Sequence, residues 1–313
     1  YSADTIRHMI DYLEVRVLGF WYGSGAPHCN CVVGRRIAPS MFLLEWILHN
    51  GDIDERTRVT CRARLAFLTY LYDSDNYYPG DVTMMSPDHP DSMEPTIEGM
   101  ANQNFYTDVY NVPGVAGQVF YHHPCASRWA EKFGTMLDRQ LEYHVYPQSG
   151  LWEESHTYYQ HVLHTILPTL LRRRADGVVD HFADPRLRKL VGASVKQLSP
   201  RDRRFDSRRY IVSFGDHGTG HGHYAYLYGL FAAAFLSHDE KLARRCAWEF
   251  LEMGGDWSRD LPGIQPVDPT APSWKSEYIQ GLGYFFRARD ENGDESLLAL
   301  RSGSAWAHHN NDE

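Results

Sequence analysis

Hydrophobic positions recur at helical spacing over most of the chain. Ile6, Met9, Ile10, Leu13 and Val17 follow the i, i+3, i+4, i+7 rule and predict an amphipathic helix near the beginning. A second helix is predicted from about Pro39 to Asn50, stopped by Gly51. A third runs from Glu55 to Asp73, with Val59, Ala63, Ala66, Phe67 and Tyr70 expected to face inward. From Asp75 to about Asn104 the periodicity lapses into Pro, Gly, Met and Asp, and loops of that length inside domains are usually functional or disordered. Helical spacing returns over Ser127–His144, Glu154–Arg174, Pro185–Leu198 and the strongly apolar Tyr224–Leu236. Ser237 with Glu240 has the pattern of a capping box for a helix over Asp239–Met253, ended by Gly254-Gly255.

Near Gly281 the period changes to two. Tyr284–Arg289, a turn at Asn292-Gly293 and Ser296–Arg301 predict a β-hairpin. The expected fold is mainly α. Antiparallel helices over residues 1–280, joined by substrate-sized loops, suggest a helical toroid, and residues 281–313 begin an antiparallel sheet domain. Tyr1 enters a helical pattern at once and Glu313 follows a histidine cluster that opens a new segment. The sequence therefore reads as an internal piece of a longer chain.

Composition narrows the function. The 313 residues are 43% hydrophobic and 23% charged, an ordinary globular balance, and no apolar run approaches the 18 or so residues of a membrane span. A net charge of −9 argues against a nucleic-acid partner, which selects a basic surface. The cations are 26 arginines against 5 lysines, and the planar guanidinium fork suits carboxylates and sulfates, although a GC-rich genome gives the same bias. The 5 cysteines contain no CxxC pair, so neither a zinc ribbon nor a disulfide framework is expected; Cys29 and Cys31 read as loop thiols. Aromatic residues reach 13%, with 20 Tyr and 8 Trp, and such rings serve carbohydrate sites as stacking platforms.

Three clusters could carry chemistry. In the first, Glu98 to Asp108, the amides Asn102 and Asn104 stand where a loop gives way to a helix; helix capping is their structural alternative. In the second, Gly150 to His161, a helix would align Glu154, Tyr158 and His161 on one face beside Trp152 and His156. Tyr158 would carry a proton if cations lowered its ordinary pKa of about 10; its structural alternative is a core tyrosine with a bonded hydroxyl. In the third, Trp306 to Asp312, strand alternation places His308, Asn310 and Asp312 on one side and His309 on the other. The Gly/His loop from Phe214 to His223, with Asp216 and His217, lacks the spacing of a nucleotide loop. The segment from Arg201 to Arg209 reads as a solvated basic loop.

In this order the clusters resemble the heparinase II/III-like polysaccharide lyases, a group that includes alginate lyases. The family pattern is an Asn or His after the early helices, then Trp-x-Glu-x-x-x-Tyr, then a strand ending His-x-His-x-Asp. Here the corresponding residues are Asn104, then Trp152, Glu154 and Tyr158, then His308, Asn310 and Asp312, with 54 residues from Asn104 to Tyr158 and 150 from Tyr158 to His308. Phe214-Gly215-Asp216 resembles a family loop at the cleft.

The resemblance implies an incomplete (α/α) toroid followed by an antiparallel β-sandwich, and β-elimination on a uronic-acid-containing anionic polysaccharide. Asn104, helped by His308 or His309, would neutralise the substrate carboxylate. Tyr158 or His308 would remove the C5 proton, and an acid would protonate the departing O4. Asn102, Trp152, Glu154, His156, Asp216, His217 and His309 would bind substrate. No organic cofactor is implied. Asn310 stands where zinc-binding members carry the second His, so a structural zinc, or calcium, is not supported. Such polymers place the protein outside the cytoplasm. The competing classes are a glycoside hydrolase with paired carboxylates, Glu154 with Asp108 or Asp216, and a non-catalytic glycan-binding protein.

Overall fold

The computed structural model describes residues 7–12, 29–50, 53–73, 103–154, 156–212 and 224–302. They are mostly helical, with one small antiparallel sheet towards the C-terminal end. The chain divides into two compact units, residues 1–140 and 141–313. Residues 7–12 are helical, as the opening periodicity predicts. Among the described residues no helix is long and apolar enough to cross a membrane.

The first unit holds α1 (Cys29–Asn50), α2 (Glu55–Asp73), α3 (Gln103–Val119) and most of α4 (Ala126–Tyr143). Two expectations fail here. Helix α1 starts at Cys29, not near Pro39, so Cys29 and Cys31 open a helix and not a loop. Pro39 is exposed, where water can replace the backbone bond that a proline removes. Helix α2 has the predicted bounds but the opposite face inward. Thr57, Cys61, Leu65, Leu68 and Tyr72 are buried, while Val59, Phe67 and Tyr70 are 56%, 46% and 43% exposed. Apolar residues lie on both sides of this helix, and contacts at its end set the rotation. Trp129 Nε1 donates to Asp73 Oδ2 at 2.9 Å, and Arg128 pairs with the same carboxylate. Close approach of α3 and α4 rests on Gly114, where an added Cβ would stand 2.7 Å from the Phe133 ring.

The second unit holds α5 (His156–Ala175), α6 (Pro185–Gly192), α7 (Ala225–Phe235), α8 (Glu240–Glu252), α9 (Trp257–Asp260) and strands β1 (Glu277–Ile279), β2 (Gly283–Arg289) and β3 (Glu295–Arg301). Its helical core includes Phe182, set edge-on to Phe231 and Phe235, which stack at 5.6 Å. Helix α6 is shorter than predicted. It stops at Gly192, and Ser194–Gln197 forms a 3-10 turn, because Ser194 Oγ bonds Val191 O and Glu249. The cap of α8 is Asp239, whose carboxylate accepts from Leu242 N–H, and not Ser237, whose hydroxyl accepts from Arg174.

The predicted hairpin is present as β2 and β3. Asp290 Oδ1 accepts from the N–H groups of Asn292 and Asp294, and Gly293 takes a φ of 85°. Strand β1 pairs antiparallel with β2; its three residues are too few to show a period. The segment from Arg201 to Arg209 is not simply solvated. Arg209 is buried and bonded to Glu252 at 2.7 Å and to Glu295, and Arg201 pairs with Glu252.

Candidate functional site

In the second unit a tight hairpin over residues 144–153 leads into α5. Tyr146 N–H donates to Leu151 O at 2.8 Å, Gly150 N–H to Tyr146 O at 2.8 Å, and Glu153 N–H to His144 O at 3.0 Å. Gly150 has a φ of 79°, and a Cβ there would stand 2.4 Å from Lys189 O, so both turn and packing need glycine. The sheet holds this hairpin. Ser149 Oγ donates to Gln280 O at 2.9 Å, and Leu151 packs with Ile279, Leu282 and Phe285 in one apolar cluster. Gly281, with a φ of 90°, lies against the Tyr146 ring.

The hairpin delivers Trp152 and Glu154 to the start of α5. Trp152 is 1% exposed, and its Nε1–H donates to Glu154 Oε2 at 2.9 Å; Glu154 is 2% exposed. The indole is thus enclosed and orients the acid. Helix α5 begins at His156, so Glu154 lies before it, and the face that the spacing predicts for Glu154, Tyr158 and His161 holds only Tyr158 and His161. Tyr158 and His161 do share a face, three residues apart, and both are half-buried. The Nε2 of His161 is 3.3 Å from Thr165 Oγ1. Tyr159 points elsewhere: it is fully buried and donates to Leu190 O at 2.8 Å. Tyr159 is thus a core tyrosine with a bonded hydroxyl.

One further turn along the same face stands His164, whose Nδ1 hydrogen-bonds the hydroxyl of Tyr226. The rings of Tyr224 and Tyr226 lie 5.4 and 6.1 Å from the His164 ring, and burial pushes the Tyr226 hydroxyl up to about 12. Sequence reasoning missed these three residues. The repeat of His at 161 and 164 was the available signal.

In the first unit α3 is buried on nearly every side, and one of its rows is polar: Asn104, Thr107, Asp108 and Asn111, at i, i+3, i+4 and i+7. Thr107 Oγ1 donates to Gln140 Oε1 at 3.0 Å, and Asp108 pairs with Arg35. Asn104 stands inside α3 and not at its cap. Asn102, Asp216, His217, His308 and His309 lie outside the described residues, as does Asn310. His156 is the first residue of α5. Among the described residues no three His, Cys, Asp or Glu side chains converge as a metal site, and Cys61, Cys125 and Cys246 are free thiols. No protein-family model matches the chain, and no curated protein matches it significantly.

Proposed function

We propose that the protein is a polysaccharide lyase that cleaves a uronic-acid-containing anionic polysaccharide by β-elimination. The observation that supports this most is the Trp152–Glu154–Tyr158 segment. A buried indole orients a buried acid immediately before a helix whose half-buried face carries Tyr158 and His161. A core designed only for stability would not gather acid, phenol and imidazoles there, because each needs a partner when enclosed.

In this reading His308 or His309 donates a hydrogen bond to the uronate carboxylate, so that charge developing at C5 is stabilised. Tyr158 takes the C5 proton, the C4–O4 bond breaks, a C4=C5 double bond forms, and O4 leaves carrying a proton from Tyr158 or a histidine. An (α/α) toroid completed by a β-sandwich, and a location outside the cytoplasm, belong to the same proposal.

The test is ultraviolet absorbance of the C4=C5 bond on alginate, heparin, heparan sulfate, hyaluronan, chondroitin and ulvan. Absorbance should rise with one of them and be lost in Tyr158→Phe. Reducing ends released without absorbance would replace the lyase with a hydrolase using paired carboxylates. Binding without either product would leave a glycan-binding protein.

A further inference from the structure

A second feature of the 141–313 unit lies away from Tyr158, His161 and Glu154, none of which lines it. It is a cavity of about 480 Å³ between α6, the start of α8 and the tip of the hairpin at Gln148 and Ser149. Arg188, Lys189, Lys196, Lys241 and Arg245 line it, against a single carboxylate, Asp239. The carboxylate of Asp239 already accepts from Leu242 N–H at 2.9 Å as the cap of α8. The chain has only 5 lysines, and three of them meet here in a protein whose net charge is −9.

Elsewhere in this unit several arginines are matched to acids: Arg172 with Asp176, Arg186 with Asp184, Arg201 and Arg209 with Glu252. In the cavity Lys196 alone has such a partner, Glu277 at 3.4 Å. Among the described residues no carboxylate pairs with Arg188, Lys189, Lys241 or Arg245. Arg188 Nη1 and Lys189 Nζ are bonded to backbone carbonyls of His238 and Pro147. The Nε–H groups of Arg188 and Arg245 are enclosed with no acceptor among the described residues. Gly192 leaves room for Arg245, whose Nη2 would be 3.1 Å from a Cβ at that position. Like charges gathered without counter-ions oppose folding, and enclosed donors without acceptors oppose it further. An anion seated among these groups would offset their like charge.

We propose that this cavity is a binding site for the anionic groups of a sugar chain, carboxylates or sulfate esters, separate from the catalytic residues. The choice of sugar-borne anions rests on the lyase reading; the demand for an anion rests on the cavity. Guanidinium forks and ammonium groups together suit either group, and the cavity would hold the polymer while a distant residue is cleaved.

Calorimetric titration of the full chain with two probes tests this: an unsulfated alginate hexasaccharide and a heparin hexasaccharide, each at low and high salt. At least one should bind, more weakly at high salt. Lys189→Ala with Lys241→Ala should weaken that binding roughly tenfold or more, by loss of charge-assisted contacts. Lys275→Ala, which removes one exposed positive charge outside the cavity, should leave it within about twofold. Circular dichroism of each variant checks folding. Binding of both probes alike identifies carboxylates as sufficient, and binding of heparin alone identifies sulfate esters.

No binding of either probe, equal weakening by Lys275→Ala, or no weakening by the double variant would each overturn the proposal. The two readings fail separately. Cavity-dependent binding with no polymer giving ultraviolet product sinks the lyase and keeps the cavity. Product formation with binding untouched by the double variant does the reverse.

Discussion

Glu249 in α8 is 1% exposed, and burial pushes its carboxyl up to about 8 against the opposing pull of the Ser194 hydrogen bond and the Arg245 charge. Neutral at pH 7, it can donate to Ser194 Oγ at 2.9 Å, and Ser194 can pass its own proton to Val191 O at 2.8 Å. The linkage sign follows from the raised value. The unfolded chain gives up this proton near the ordinary 4.5 while the folded one keeps it to about 8. Stability is greatest below the lower value and falls as pH climbs towards the upper one, by up to about 4 kcal/mol. Glu249→Gln keeps the volume and removes the titration, so its urea midpoint should stay level from pH 5 to pH 8 while the parent's falls. Parallel curves would show that other groups govern this range. The tyrosine pair gives a second residue-level contrast. Tyr159→Phe removes one of two donors to the Leu190 carbonyl, which keeps the Ala193 N–H at 3.1 Å, and should cost about 1 kcal/mol in urea unfolding with turnover kept, whereas Tyr158→Phe should leave stability nearly unchanged and abolish turnover. As neighbours in sequence the two are indistinguishable; only the phase of α5 separates them.

At the scale of elements, period told where helices lie better than how they are turned. Helix α2 has the bounds its sequence predicts, yet its apolar residues fall into two stripes, and Asp73 held by Trp129 selects the stripe of Leu65 and Leu68. Leu65→Ala should therefore cost about 2–5 kcal/mol and Phe67→Ala under about 1 kcal/mol, as read from urea midpoints. The reverse order would restore the face expected from sequence. The hairpin over residues 144–153 had no period to betray it, being a bridge between Val145 and Trp152 closed by a turn. Its sensitive point is Gly150. Alanine there needs an unfavourable positive φ and meets the Lys189 carbonyl, so Gly150→Ala should lower stability by about 1–3 kcal/mol. Because the hairpin carries Trp152 and Glu154, turnover should fall further than the lost stability explains, in kcat measured well below the melting temperature.

At the scale of the whole molecule, what the sequence concealed is contact between distant segments. His164 meets Tyr226 across 62 residues, Arg209 meets Glu295 across 86, and Arg287 meets Lys196 across 91. None of these leaves a periodic trace, so the face of α5 that carries Tyr158 and His161 was legible and the Tyr226 hydroxyl beside His164 was not. Arg287 shows how such contacts bind the sheet to the helical part of its unit. Its guanidinium lies 4.5 Å from the Trp274 ring centre and donates to Lys196 O and Leu198 O, each at 2.8 Å. Arg287→Met keeps the apolar stem but leaves both carbonyls without these donors, at a cost of about 2–4 kcal/mol. The sheet in turn grips the hairpin through Gln280 and the Leu151 cluster. Hydrogen exchange on Arg287→Met should therefore show β1–β3 and residues 144–153 losing protection together, with α8 unchanged. Loss of protection in the strands alone would mean that the hairpin stands without the sheet, and the sheet's part in placing Trp152 and Glu154 would have to be given up.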